Sequence, residues 1–382
     1  MQALLLLQND KCLETLMKKV ALGITCLALT GAAHADVTLY GLIDAGITYT
    51  NNQKGASNWQ TASSVLQGDA WGLRSVEDLG GGLKSIAALE SGFTLFDGTF
   101  MQGGRLFGRQ AYVGLSNEWG TLTVGRQYDL IADFVIPVSS VPYLGVYSGH
   151  IQDNDNLQHT FRLNNAVKYI SPDYAGFKFG GVYAFGNQAG AFATNRVWNV
   201  AAGYKHGPFS IAASYEYLGR PAGNTTGAVG MSGTTGSDYP PLPALYETGT
   251  IERQQIAAIS GNYVVGKLTL GATYSHVRYD VTTSPVNVDN YELFSSYAFN
   301  PALYLTGAVS ESTVKLVNTN QRPRYLTLSA TLDYYLSKRT DVYTSASWQR
   351  AGGDAPNAAL YSLTASSTTS QLAVRIGMRH HF

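Results

Sequence analysis

The chain ends in QLAVRIGMRHHF at residues 371–382, and this stretch decides the fold. Two sets of side chains alternate along it, with Leu372, Val374, Ile376 and Met378 in one and Ala373, Arg375, Gly377 and Arg379 in the other. A period of two is the signature of a β-strand, because successive side chains point to opposite faces of the sheet. We therefore predict a terminal strand with one apolar face and one small or cationic face, closed by the aromatic Phe382.

The same alternation recurs upstream, at 209–217, 267–274 and 325–334. After residue 36 no apolar run reaches the roughly 20 residues that a membrane-spanning helix needs. Strands of a transmembrane barrel are missed by a hydropathy scan, because each lipid-facing residue is followed by a lumen-facing one. The alternating segments therefore fit a barrel that crosses the membrane with strands.

Short turns alternate with long polar connections between the predicted strands. The short ones contain Gly, Pro, Asn or Ser and lie at 77–82, 117–120, 171–176, 205–208, 265–266, 300–301 and 337–340. The long ones lie at 51–67, 127–161, 219–250, 280–288, 314–324 and 351–370. This asymmetry is typical of outer-membrane barrels, which have short turns at one rim and longer loops at the other. Counting gives about 16 strands in one domain, 36–382, and predicts the all-β class with an antiparallel transmembrane β-barrel.

Composition excludes several other classes of protein. The 382 residues contain 41 Gly and 25 Tyr and have a formal net charge of zero, so no nucleic acid or other polyanion is expected as a partner. Cys12 and Cys26 are the only cysteines, and both precede residue 36. The rest of the chain therefore has no thiol for a disulfide or a thiolate metal site, and no cofactor is expected.

The first 35 residues have the pattern of an exported protein. Met17-Lys18-Lys19, the apolar run 20–33 and Ala33-His34-Ala35 supply the basic start, apolar middle and small-x-small cleavage site of a signal peptide. We expect residues 1–35 to be removed, leaving Asp36 first, and Met17 to be the true start. A membrane anchor is the weaker alternative, because the apolar run falls short of the roughly 20 residues required.

Several longer segments occur together and in a fixed order. They are Asp36-Val37-Thr38-Leu39-Tyr40-Gly41, Trp71-Gly72-Leu73-Arg74, Glu77-Asp78-Leu79-Gly80-Gly81-Gly82-Leu83-Lys84, Leu89-Glu90-Ser91-Gly92-Phe93, Gly108-Arg109-Gln110-Ala111-Tyr112-Val113-Gly114-Leu115, Gly125-Arg126-Gln127-Tyr128-Asp129, Arg162-Leu163-Asn164-Asn165-Ala166-Val167-Lys168-Tyr169 and Gly377-Met378-Arg379-His380-His381-Phe382. In this order the segments resemble the trimeric general porins of Gram-negative bacteria, of the β-proteobacterial type.

The resemblance implies a homotrimer of 16-stranded barrels in the outer membrane, each with a third loop folded inward to narrow the lumen. Here that loop would be roughly Gln127 to Phe161. Lipid and lipopolysaccharide would surround the trimer, and small hydrophilic solutes and ions would diffuse through it passively. Phe382 would be part of the signal that the barrel-assembly machinery reads.

The resemblance also implies a set of pore-constriction residues. The cations on the wall would be Arg74, Arg109, Arg126 and Arg162, with Lys84 and Lys168 as further candidates, and the acids on the loop would be Asp129 and Asp133. Alternation places Arg162, Asn164 and Lys168 on one face, opposite Leu163. Ala70 and Val138 stand where relatives often carry an arginine and an acid, so preference for anions or cations stays open. The alternative role of these arginines is to brace the loop through ion pairs.

Other functions remain as alternatives. A substrate-specific porin would need stacked aromatics or a basic ladder in its lumen. An outer-membrane barrel enzyme would need a nucleophile with an acid-base partner, and no nucleophile elbow is recognisable. His150 and His159 lie near Asp153 and Asp155, but their spacing fits no metal motif. A soluble secreted β-sandwich adhesin does not account for the alternating loop lengths.

Overall fold

The computed structural model describes residues 36–382 except 222, 225, 231–238, 240–245, 247 and 248, so the expected signal peptide lies outside the described residues. Nearly all regular structure is strand. The strands are β1 (Asp36–Gln53), β2 (Ala56–Ser63), β3 (Ala70–Gly80), β4 (Leu83–Gly92), β5 (Gln110–Asn117), β6 (Gly120–Gln127), β7 (Leu163–Ile170), β8 (Phe177–Ala184), β9 (Arg196–His206), β10 (Phe209–Gly219), β11 (Ile251–Val265), β12 (Leu268–Val281), β13 (Val286–Asn300), β14 (Leu303–Leu316), β15 (Pro323–Tyr335), β16 (Thr340–Gly353) and β17 (Ser370–His381). Within the described ranges no helix is both long and apolar enough to span a bilayer.

The strands form one closed antiparallel sheet. β17 pairs with β1, from Leu42 opposite His381 to Thr50 opposite Ala373, so the last strand joins the first. β2 and β3 both pair with the other edge of β1, β2 beside its second half and β3 beside its first. They are therefore two parts of a single barrel strand. The prediction of a 16-stranded antiparallel barrel is confirmed.

The prediction of a long loop at 51–67 is wrong. β1 continues to Gln53 and turns back into β2 through Lys54 and Gly55, whose φ angles are 52° and 100°. Positive φ at both central residues is the geometry of a tight type I′ hairpin, which glycine accommodates without strain. The irregular segment comes later, at 64–69, where the Asp44 carboxylate accepts from Leu66 N at 2.5 Å and Gln67 N at 2.9 Å.

Two other predicted long connections are shorter than expected. The strands that flank 280–288 and 314–324 extend into these segments, leaving only 282–285 and 317–322 outside β-structure. The polar residues at these strand ends lengthen the barrel wall above its apolar part. Alternation alone did not locate the ends of these strands. Near the loop rim, the side chains no longer alternate between apolar and polar from one residue to the next.

The barrel is apolar outside and polar inside. In β17 Ile376 is 70% exposed while the neighbouring Arg375 is 1% exposed. In β15 Leu328 and Leu332 are exposed, whereas Thr327 lies buried on the opposite face. The apolar face predicted from the period-two pattern is therefore the outer surface of the barrel.

The two rims differ in their connections. The turn rim carries 81–82, 118–119, 171–176, 207–208, 266–267, 301–302 and 336–339, and the loop rim carries 54–55, 93–109, 128–162, 185–195, 220–250, 282–285, 317–322 and 354–369. We call 128–162 loop L3. It contains short helical turns at Ile131–Val135, Ile136–Val138, Val141–Leu144, Val146–Ser148 and Ile151–Asp153, and a further turn lies at Met101–Gly104.

The chain terminus completes the closure. Phe382 N donates to Gly41 O at 3.0 Å, and Gly41 N donates to Phe382 O at 3.1 Å. The Phe382 ring covers Gly41 so closely that a Cβ there would lie 2.2 Å from the ring. A side chain at residue 41 would therefore push the terminal aromatic away from the seam between the first and last strands.

Candidate functional site

Loop L3 lies against the polar inner side of one part of the wall. Its backbone and side chains hydrogen-bond to side chains on β9 and on β11 to β14, all of them buried except the half-buried Asn262. These are Asn199 on β9, Ser260 and Asn262 on β11, Ser275 on β12, Asn290 on β13 and Ser312 on β14. The contacts follow one face of these strands, because buried polar residues alternate there with exposed apolar ones.

One anchor of L3 is a buried polar network around Asp155. His150 Nδ1 and Asp155 Oδ2 are 2.6 Å apart, and Ser275 Oγ and Asn290 Nδ2 also donate to that carboxylate. Burial disfavours a charged imidazole, but the adjacent Asp155 carboxylate outweighs it and raises the pKa of His150 to about 9. His150 is therefore a cation paired with Asp155 at neutral pH, and the pair fixes L3 to β12 and β13.

A second anchor brings carboxyl groups together. Asp129 accepts from Ala132 N at 2.8 Å and from Asn156 Nδ2 at 2.6 Å, and its carboxyl meets that of Glu216 on β10. Both groups are fully buried, and burial raises the pKa of Asp129 to about 6. Two carboxyls in contact cannot both ionise cheaply, so this pair favours keeping one proton.

Asp133 meets a cation of the wall. Lys168 Nζ on β7 lies 2.6 Å from Asp133 Oδ2 and donates to Tyr128 O at 3.1 Å. Burial raises the pKa of Asp133, and Lys168 partly offsets that effect. The structure therefore pairs these two predicted residues with each other.

The opposite side of L3 faces open space. A cavity of about 430 Å³ lies between L3, the irregular segment 64–69, the turn at Met101–Gly104 and the loop 354–369. Arg109 and Arg162 are the charged side chains among its described lining residues, and no described Asp or Glu lines it. Because Arg109 pairs with the nearby Glu90, the positive charge that a solute in this cavity would meet comes mainly from Arg162.

Arginines and tyrosines alternate beside the cavity. Arg162 lies 4.7 Å and Arg109 5.9 Å from the Tyr128 ring centre, and Arg74 lies 5.2 Å from that of Tyr40. The row continues through Glu90, which accepts from Tyr40 Oη at 2.8 Å and from Arg109 Nε at 2.7 Å. Arg109 is thus paired with Glu90, whereas Arg162 and Arg74 are held over tyrosine rings with no described carboxylate partner.

Arg162 forms no ion pair with a described carboxylate. It donates to Thr160 O at 2.8 Å and to Tyr128 Oη at 3.0 Å, and its Nε has no partner among the described residues. Burial and the nearby arginines lower the pKa of His159 well below its usual range, so that imidazole is neutral. The charge beside the cavity therefore comes from guanidinium groups.

The remaining predicted residues lie elsewhere. Arg126 donates to Gly108 O at 2.8 Å and to Asn164 Oδ1 at 2.5 Å. Lys84 is exposed at the turn-rim end of β4, at the opposite end of that strand from Glu90. The expected alternation in β7 also fails at its start, because Asn165 has a φ of 53° and Leu163 is buried in the same cluster as Ala166.

Sequence reasoning missed a second group of charged wall residues. Arg375 lies 3.4 Å from Asp44 and donates to Tyr343 Oη, and both charged side chains are fully buried. Arg379 pairs with Asp341 at 3.0 Å and Asp333 at 3.3 Å. Alternation in the terminal strand had already placed both arginines on the polar face, so that pattern was the available signal.

Comparisons with known proteins agree with this architecture. The family model for Gram-negative porins matches residues 21–354. An outer membrane porin protein of Bordetella pertussis is 32% identical over 96% of this chain and 100% of its own length. The major outer membrane protein P.IB of Neisseria meningitidis serogroup B is 29% identical over 88% of this chain and 94% of its own.

Solved structures show the same fold. An anion-selective porin from Comamonas acidovorans superposes with a TM-score of 0.72 at 22% identity, covering 91% of this chain and all of that one. The trimer form of OmpT from Vibrio cholerae gives a TM-score of 0.65 at 14% identity, covering 91% of this chain and 99% of that one. At these identities the likeness concerns the fold alone.

Proposed function

Because this chain belongs to the Gram-negative porin family and forms a passive channel in the outer membrane, we propose that its constriction lies between L3 and the wall that carries Arg74, Arg109 and Arg162. The family consists of channel proteins, so an enzymatic role is set aside. Small hydrophilic solutes and ions are the proposed cargo, since a polar, water-accessible lumen admits them by size and charge.

We further propose that the channel prefers anions. The observation that carries this is the cavity beside L3, whose charged lining is made of Arg109, which pairs with Glu90 outside the lining, and Arg162, which has no described carboxylate partner. The four acids of L3 all have partners, Asp129 with Glu216, Asp133 with Lys168, Asp155 with His150, and Asp153 with the Gln158 and Thr160 backbone N–H groups. A fixed positive field in a narrow polar passage concentrates anions and repels cations. The similar fold from Comamonas acidovorans is described as anion-selective.

A trimer is the proposed assembly. Near the loop rim, the outward positions of β1, β2, β4 and β5 hold Tyr49, Trp59, Leu89 and Ala111, with no described charged side chain among them. Such a surface suits burial against other copies of the chain, and a trimer form is known for the OmpT fold relative. We also propose removal of residues 1–35, recognition of Phe382 by the barrel-assembly machinery, and lipopolysaccharide around the loop rim.

The selectivity proposal is tested in planar bilayers with a KCl gradient. We expect a reversal potential that reports preference for chloride, and Arg162→Gln to lower the chloride-to-potassium permeability ratio by about threefold to tenfold, as loss of roughly 1 kcal/mol of attraction implies. Arg339→Gln, in the turn 336–339, is the matched control and should change nothing. A wild-type channel that prefers potassium would overturn the proposal.

A further inference from the structure

The wall strand formed by β2 and β3 is interrupted by surplus residues. β2 ends with Ser63 opposite Ala45 on β1, and β3 begins with Ala70 opposite Leu42. Residues 64–69 therefore have to fit beside a stretch of β1 that is much shorter than their own extended length. Extra residues in one strand of a pair leave the hydrogen-bonded ladder as a bulge. We call 64–69 the inner bulge.

The inner bulge points into the lumen, where it meets L3. Val146 N of L3 donates to Val65 O at 2.8 Å. Gly145 has a φ of 68° and lies so close that a Cβ there would be 2.2 Å from Val65 O. Only glycine permits such a close approach of two backbones at this φ. The bulge and L3 are therefore in direct contact inside the barrel.

Asp44 on β1 holds the inner bulge in place. Its carboxylate accepts from Leu66 N and Gln67 N, and its own N donates to Asp69 Oδ1 at 2.6 Å. The Asp44 side chain is fully buried, and Arg375, 3.4 Å away, balances its charge. Hydrogen bonds from backbone N–H groups to a carboxylate are stronger than those between neutral groups. Asp44 is therefore a positioning residue for the bulge.

Two cavities meet at the inner bulge. The cavity of about 430 Å³ that contains Arg162 lies on its loop-rim side. A second cavity, of about 730 Å³, lies on its turn-rim side and is lined by residues of the turns 301–302 and 336–339. The described residues that line both cavities are Gln67 of the bulge and Pro142 of L3. We call Gln67 and Pro142 the neck, because a solute that passes from one cavity to the other moves between them.

Gln67 gives the neck a hydrogen-bond donor without a charge. The residue is exposed, and Arg379 Nη1 donates to its Oε1 at 3.0 Å. Its Nε2 forms no hydrogen bond within the described part of the chain, and a side-chain amide carries two N–H donors on that nitrogen. An anion at the neck can therefore accept a hydrogen bond from Gln67 in place of one from water.

We propose that Gln67 is a specificity-determining residue of the channel, whose side chain sets the width of the neck and whose amide donates to a passing anion. The inference rests on the proposed anion channel. Arg162 attracts the anion into the loop-rim cavity, and the Gln67 amide replaces part of the water shell that the neck removes. Asp44 acts through the inner bulge, because it fixes the backbone that carries Gln67.

The width of the neck is tested with neutral polyethylene glycols of graded size, since those that enter the channel lower its conductance. Gln67→Ala should raise single-channel conductance by about 1.5-fold or more and admit larger polymers, because it shortens a side chain at the narrowest point. Gln60→Ala makes the same change in the lining of the loop-rim cavity away from the neck and should raise conductance by less than about 1.2-fold. Equal conductance and equal polymer limits in the wild type and Gln67→Ala would overturn the proposal.

The role of the amide is tested by Gln67→Leu, which keeps a side chain of similar size and removes the donor. The polymer limit should stay the same, whereas the chloride-to-potassium permeability ratio should fall by about twofold or more, as loss of one hydrogen bond implies. An unchanged ratio would show that the amide does not contribute to selectivity.

The positioning role is tested by Asp44→Asn. An amide can accept on one side only, so the bulge should loosen and the polymer limit rise, as in Gln67→Ala. Adding Gln67→Ala to Asp44→Asn should then change the limit little, because both substitutions act at the neck. Fully additive effects would contradict the role of Asp44.

Two features keep these outcomes separate. Gln67→Ala retains the backbone hydrogen bonds of the inner bulge, so the test of the neck does not depend on the folding of Asp44→Asn. A wild type that prefers potassium would overturn the anion proposal but not the width of the neck, which the uncharged polymers report.

Discussion

Loop L3 separates two walls of the barrel that use charge in opposite ways. Towards β9 to β14, its carboxyl groups are buried and saturated with partners, as Asp155 is by His150, Ser275 and Asn290. Towards β3 to β7, Arg162 stands beside an open cavity and stacks on Tyr128 without a described carboxylate partner, while the adjacent Arg109 pairs with Glu90.

The difference between the two walls shows what anchoring a loop and attracting a solute each require. Anchoring a loop needs buried charges that are paired with an opposite charge, because an unpaired buried charge is costly. Attracting a solute needs the reverse, a charge that its neighbours hold in position but do not cancel. Four changes would break or sharpen this contrast.

The largest effect is expected from Asp155→Ala on the anchored wall. It leaves the His150 cation buried without its partner, which costs about 3–5 kcal/mol. We expect L3 to detach from β12 and β13, giving a noisier channel of larger conductance in single-channel recordings. Asp289→Ala, which removes an outer-face partner 2.9 Å from His276, is the control and should leave the noise unchanged. A quiet Asp155→Ala channel would show that L3 is held by other contacts.

Raising the pH should loosen the same wall. The pKa of Asp129 is raised to about 6, so the folded state binds more protons than the unfolded state between pH 4 and 6. The free energy of unfolding therefore falls as pH rises through this window, by roughly 3 kcal/mol in total, because the folded-state pKa of Asp129 lies about two pH units above the unfolded one. His150, with its pKa raised to about 9, adds stability that is full below pH 6.5 and lost as pH rises through 9.

The readout is L3 mobility, followed by a spin label at Tyr143 between pH 4 and 9. Glu216→Gln should flatten the acidic part of the profile, because an amide can donate to ionised Asp129 where a second carboxylate would repel it. An unchanged profile in that variant would mean that the carboxyl pair does not govern the anchor.

A smaller effect is expected from Arg74→Gln on the open wall. Arg74 is exposed to the lumen and has no carboxylate partner in the described residues, so its field is screened by water and salt. We expect the chloride preference to fall by about twofold in low salt and hardly at all in 1 M salt. A loss as large as that of Arg162→Gln would place the constriction nearer to Arg74.

The smallest effect is expected from Asp133→Asn, which releases Lys168 from its ion pair. The pair is partly exposed on the Asp133 side, so its loss costs about 1 kcal/mol or less. Chloride preference should rise slightly, because the charge of the buried Lys168 beside L3 is then no longer balanced by a carboxylate. The check is a reversal-potential measurement against wild type, and a fall in chloride preference would contradict the assignment.

The extent of sequence prediction differs between the wall and the site. Leu328 and Thr327 could be assigned to opposite faces from the pattern alone, and the structure places them so. The hairpin at Lys54-Gly55 was missed because β2 is polar and shows no apolar face in the sequence. The residues of β1 that β2 pairs with are known only from the structure. Glu216 was overlooked because nothing local marks it as the partner of Asp129.

The sequence by itself determined the strand type, the closed antiparallel order and the apolar outer surface, because period two is a local property of extended backbone. Only the tertiary structure decided which acid meets which base inside the barrel. Asp155 and Ser275 are 120 positions apart, and Asp44 and Arg375 are 331 apart. Such contacts depend on the path of L3 and on the register in which β1 pairs with β17. Neither can be predicted from any single segment of the sequence.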